Sequence, residues 1–144
     1  MNRIDLYLLK GNTFSDQIDF CCRLTEKAFP QHPKIHIQTE EAIQNEALNS
    51  ALWTFKPDSF LPHSIGIENN EQTPITIDTV PFSSNNTNDF DLLILLCKQL
   101  PENFQKFKRL CLIVANIDQE IAHARQLYKQ LKKTGLEVHI QDMR

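Results

Sequence analysis

Glycine is scarce in this chain. It occurs three times in 144 residues, at Gly11, Gly66 and Gly135, and none lies near another. Neither GxGxxG nor GxxxxGK[ST] can therefore be traced anywhere. Without such a cluster the backbone cannot crowd a pyrophosphate, which argues against a nucleotide site. Cysteine is sparse too. Cys21 and Cys22 are adjacent on an expected helix, where they point about 100° apart. Cys97 and Cys111 sit inside apolar runs, as buried free thiols do. No CxxC pair occurs, and structural cysteines rather than metal ligands are expected. His32, His36, His63, His123 and His139 stand at no recognisable catalytic spacing from a Cys, Ser or carboxylate. No catalytic residue, metal or cofactor is expected.

Long apolar runs are also missing. Residues 92–97 and 110–115 are the longest, far too short to span a bilayer. Residues 1–10 show no signal-peptide core. A cytoplasmic protein without a membrane partner is expected. Nor is there an excess of positive charge. Lys and Arg number 15 against 18 Asp and Glu, a net charge of −3. That disfavours broad, non-specific DNA binding, which draws on many phosphate contacts.

What is present fits one globular domain over residues 1–144. The chain is 41% hydrophobic and 23% charged. Residues 4–9 read as a strand. Ser15 is a fair cap for a helix that begins at Asp16 and ends at Pro30 to Pro33. Residues 34–38 read as a short strand. Thr39 then caps a second helix, with Ile43, Ala47, Ala51 and Leu52 on its inner side. Residues 53–72 carry no clear period. Residues 75–80 alternate as a strand, and 92–97 and 110–115 read as strands buried on both faces. A helix is expected over 102–108, another over 118–133, and a closing strand over 136–140. This alternation points to an α/β, Rossmann-like fold: a mostly parallel sheet, helices on both faces, and no nucleotide-binding loop.

Two constellations point to binding. The first runs from Leu52 to His63 and holds the only Trp, Trp53, with Phe55, Phe60, Pro57 and Pro62. Prolines stiffen such a segment, and its aromatics either fold over the core or face a partner. The second is the last helix. Ile117, Ala124, Leu127, Tyr128 and Leu131 share one face, and Arg125, Lys129 and Lys132 form a cationic stripe along its edge. Tyr128 and Ile121 lie at the border. An acidic peptide with one apolar side chain suits that arrangement. A solvated face, with cations easing the helix dipole, explains the same spacing.

At these residues the chain resembles the chi subunit family of the bacterial DNA polymerase III holoenzyme. The matching features are Leu6-Tyr7-Leu8-Leu9, then Ala51-Leu52-Trp53 followed by Ser59-Phe60-Leu61-Pro62-His63. Ala124-Arg125-Gln126-Leu127-Tyr128-Lys129 with Gly135 beyond completes them. The resemblance implies a non-catalytic adaptor of the replication machinery with two partners. The psi subunit of the clamp-loader complex would dock at Trp53 and Phe60, with Pro62 nearby. The acidic, phenylalanine-ended C-terminal tail of single-stranded DNA-binding protein would dock at Arg125, Tyr128 and Lys129. Val114 would lie beneath and Lys132 beside it. Nucleic acid would be met only indirectly. The chain departs from the pattern at Ile121, where some relatives carry a basic residue, and residues 66–91 match poorly. A small α/β enzyme with an unrecognised substrate is the alternative reading.

Overall fold

The computed structural model describes residues 3–32, 34–56, 61–66, 73–79, 91–96, 100–102 and 104–144. Strand β1 (Arg3–Leu8) leads into helix α1 (Phe14–Ala28), strand β2 (Ile35–Gln38) and helix α2 (Ala42–Thr54). Strands β3 (His63–Ile65), β4 (Ile75–Asp78) and β5 (Leu92–Leu95) follow. A single 3-10 turn (Phe104–Lys106), strand β6 (Arg109–Val114), helix α3 (Asp118–Lys133) and strand β7 (Val138–Asp142) complete the described elements.

The strands form one sheet in the order β3-β4-β2-β5-β6-β1-β7, and every neighbouring pair is parallel. The two apolar runs lie at its centre. β5 is buried at every position, and β6 at all but Arg109. A strand with no polar face must be covered on both sides. Alternation along each strand divides the core accordingly. Cys21, Cys22, Leu48 and Leu52 of α1 and α2 pack with Ile35, Ile37, Ile94 and Ile113. Ala124, Leu127 and Leu131 of α3 pack on the other face with Leu6, Leu93, Leu110 and Leu112.

The loop after β1 places a carboxylate of the chain itself at the start of α1. Thr13, not Ser15, caps α1. The Asp16 carboxylate accepts from the Thr13 N–H at 3.1 Å and its hydroxyl at 2.7 Å, while Thr13 Oγ1 accepts from the Asp16 N–H at 3.1 Å. Gly11 lies so close to the Asp16 side chain that a Cβ there would collide with it. The chain's own carboxylate thus fills the helix N-terminus where a phosphate sits in dinucleotide folds.

Other local expectations shift for identifiable reasons. α2 begins at Ala42, with Glu41 rather than Thr39 at its cap. The Gln44 side chain accepts from the Glu40 and Glu41 N–H groups, and the Thr39 hydroxyl instead donates to Asn45. That phase buries Asn45, Leu48 and Leu52 and turns Ile43 outward, 73% exposed. The helix expected over 102–108 contracts to one 3-10 turn, because Phe107 drives the chain into the core directly before β6. Three-residue β3 lies in a stretch with no readable period. β7 starts and ends two residues later than the alternation implies.

His32 sits in the turn after α1, and His36 is buried in β2 with Nδ1 2.8 Å from the Thr76 hydroxyl. Burial pushes the His36 pKa down to about 4, against the pull of Asp78. Cys21, Cys22 and Cys111 are buried free thiols, and burial holds all three well above their usual range. Cys97 lies outside the described residues. Among the described residues no group of three or more His, Cys, Asp or Glu could hold a metal ion. No helix among them is long and apolar enough to cross a membrane.

Candidate functional site

β7 ends the sheet beside β1, and α3 crosses the face above them. Parallel register pairs Leu6 with Ile140 and Leu8 with Asp142. These side chains therefore point to the α3 side together. β7 is short of cover, so an open groove of about 230 Å³ runs between it and α3. Leu6, Leu8, Ile121 and Ala124 form its apolar floor, and Ile140 contributes a wall that is 48% exposed. Arg125 and Tyr128 stand on the α3 rim, with Asp142 and Arg144 opposite.

Charge around this groove is uneven. Among the described residues no carboxylate pairs with Arg125, Lys129 or Lys132. Lys132 Nζ instead lies 5.6 Å from the Tyr128 ring centre. Asp142, the one carboxylate among the described lining residues, is already engaged. Arg144 donates to it through Nη2 at 2.8 Å, Nε at 3.0 Å and its backbone N–H at 3.1 Å. The Arg144 side chain and then its backbone N–H hold the Asp142 pKa down to about 2. The site therefore presents an apolar trough with one cation, Arg125, left over on its rim and Lys129 and Lys132 exposed beyond it. That is what an anionic ligand with one apolar side chain requires.

A second surface lies at the far end of α2. Trp53 occupies the last turn of that helix, not the following loop, and is 51% exposed. Its ring stacks at a tilt on His63, with centroids 4.4 Å apart. His63 is itself buried on β3, with Nε2 3.1 Å from the Asn49 carbonyl oxygen. A fixed histidine thus sets the angle at which the indole faces solvent. Pro62 is half-buried beside it, and Leu61 packs inward. Phe60 lies outside the described residues.

Comparison with known proteins decides the family. The family model described as "DNA polymerase III chi subunit, HolC" matches residues 1–139. The chain belongs to this family. The DNA polymerase III subunit chi of Pseudomonas aeruginosa PAO1 is 27% identical over 135 residues, covering 94% of this chain and 92% of that protein. The DNA polymerase III subunit chi of Haemophilus influenzae Rd is 28% identical over 129 residues, covering 90% and 89%. The chi subunit is an accessory, non-catalytic part of the replicative polymerase, so this chain is a replication subunit and not a polymerase in its own right.

Within this chi-family fold, the residues singled out on the last helix separate. Arg125 and Tyr128 meet at the groove, and Lys132 joins them through the Tyr128 ring. Lys129 is exposed one residue beyond Tyr128 and does not line the groove. Val114 is buried on the other flank of α3. There it borders a small cavity of about 20 Å³ with Leu95, His123 and Leu127. Ala124 is common to both spaces. Leu6, Leu8, Ile140 and Arg144 were missed, because only the β1–β7 pairing brings them to α3.

Proposed function

We propose that this chain is a cytoplasmic adaptor that joins the clamp-loader complex, through psi, to the C-terminal tail of single-stranded DNA-binding protein. The observation that carries the reading is the Arg125 groove, apolar at its floor, with Arg125 free of any carboxylate among the described residues at its rim and Lys129 and Lys132 exposed just beyond it. An acidic tail ending in Phe matches it part by part. The phenyl ring would enter between Ile121, Ala124 and Ile140, and the carboxylates would meet Arg125 and Lys129. Lys132 would add long-range attraction, and Val114 would support α3 from beneath. Psi would dock on the Trp53 surface, with Pro62 and Phe60 completing it. Nucleic acid would be met only through the coated strand, and no membrane is involved.

Fluorescence anisotropy with a labelled tail peptide across a salt series tests the groove. Exposed ion pairs are screened within about 10 Å at 0.1 M ionic strength, whereas apolar burial is not weakened in that way. Arg125→Ala is expected to reduce affinity about tenfold and to flatten the salt dependence. Tyr128→Ala is expected to reduce affinity with the salt dependence retained. With Ile121 supplying no charge, the parent should bind no tighter than micromolar, about −8 kcal/mol. If Arg125→Ala binds like the parent at low salt, the tail docks elsewhere. For psi, Trp53→Ala should cost on the order of 2 kcal/mol of binding, as a central aromatic anchor does. Unchanged psi affinity by calorimetric titration would overturn that assignment.

A further inference from the structure

β7 borders a second hollow on the opposite face of the sheet, which the reading above does not use. Tyr7 of β1 pairs with Gln141 of β7, so both face α1 rather than α3. Between them and α1 lies a space of about 430 Å³, bordered also by Phe20, Leu24 and Met143. The Tyr7 and Phe20 rings pack at a tilt, with centroids 4.8 Å apart, and give it a fixed aromatic wall. Met143 is 37% exposed at the mouth. Arg23 and Lys27 complete the lining. They lie one turn apart on α1, where side chains are neighbours. No carboxylate belongs to this lining, and neither cation has an ion-pair partner among the described residues. Arg23 Nε makes only a long contact, 3.4 Å, to the Asp19 carbonyl oxygen.

We propose that this α1–β7 hollow docks an acidic peptide segment carrying one large apolar side chain, supplied by a protein partner. Charge decides the occupant. The chain is net negative, yet among the described residues this aromatic recess presents two unpaired cations and no anion. Asp16 and Asp19 lie in the adjoining recess towards the start of α1, beyond Arg23. The ligand's carboxylates are therefore directed to the Lys27 end and its apolar side chain to the Tyr7–Phe20 wall. Single-stranded DNA fits less well. It needs a track of cations and open ring faces, whereas two cations stand here and the rings pack on each other.

Two-dimensional nuclear magnetic resonance of the isotopically labelled full chain tests this, because it reads each groove separately. The probe is the amidated peptide acetyl-Asp-Asp-Asp-Phe. Saturable shifts are expected at the amides of Phe20, Leu24 and Gln141. Arg23→Glu with Lys27→Glu should weaken that response about tenfold or more and leave any response at Tyr128 unchanged. Both positions are exposed, so folding should survive. Met143→Asp is a second variant expected to weaken the same response. Arg125→Ala should not alter it, so a failure of the Arg125 groove and a failure of this hollow are told apart. The proposal is overturned if the α1 amides do not shift, or if their response survives the charge reversal. It is equally overturned if oligothymidine shifts them at lower concentration than the peptide.

Discussion

Replacing Arg109 by Met is expected to destabilise the fold by about 3 kcal/mol. Asp5, on β1, has no solvent exposure. Its carboxylate is held by two guanidinium groups. Arg109 Nη2 and Nε donate to Oδ2 at 2.7 and 3.0 Å, and Arg3 Nε is shared between Oδ1 and Oδ2 at 3.0 and 3.1 Å. Opening a buried pair costs roughly 3–5 kcal/mol, because the remaining charge is left desolvated. The low end applies here, since Arg3 stays in place and the Arg109 side chain is 25% exposed. For a domain of this length about 1 kcal/mol lowers Tm by roughly 4 °C, so the midpoint should fall by about 12 °C. The double variant Asp5→Leu with Arg109→Met removes both charges. Apolar replacement of a buried pair is often neutral or stabilising, so the double variant should be more stable than Arg109→Met alone. Urea titration and thermal melting followed by circular dichroism measure both. The reasoning is refuted if Arg109→Met lies within about 0.5 kcal/mol of the parent, the range of an ordinary surface change. It is also refuted if the double variant is the weaker.

His36 should make the protein acid-sensitive. Its folded pKa of about 4 lies below the ordinary 6.5, so the unfolded chain binds the proton first. Its contribution is complete above about pH 6.5 and is lost as pH falls towards 4, by about 3 kcal/mol in all. Urea titrations of His36→Gln should lose less stability over that window, and an equally steep fall would exonerate His36. Thr13→Ala should cost about 1 kcal/mol and Ser15→Ala nearly nothing, because only Thr13 completes the cap; the reverse order in denaturation would refute the cap assignment. Trp53→Ala should lower folding stability by no more than about 2 kcal/mol, short of the roughly 3–5 kcal/mol for a fully buried aromatic, since half the side chain is already in water. A larger loss would make Trp53 a core residue and not a docking surface. Asp142→Asn should release Arg144 and tighten the acidic tail peptide in the anisotropy assay, and weaker binding would contradict the groove's electrostatics.

The central layer was legible because apolar content speaks for itself. A run such as Leu92 to Leu95 has no polar side to expose, so it can only be a strand covered on both faces. α3 was equally plain, with Ala124, Leu127 and Leu131 at helical spacing and Gly135, in the left-handed region at φ 80°, just beyond its end. The cationic stripe and the half-exposed tryptophan were visible as residue types at telling positions. Their surroundings were not. α2 has almost no amphipathic contrast, so the phase that exposes Ile43 depends on Asn45 and Thr39 meeting inside the protein. The groove depended still more on distant partners. Leu6, Ile140 and Arg144 become neighbours of Arg125 only because β7 returns to lie parallel to β1, across more than 130 residues of chain. Local periodicity tells which face of a strand is apolar, but not which strand will lie beside it. That choice belongs to the packing of the whole sheet, and it is what separates Val114 from Tyr128 and opens a hollow on either side of β7.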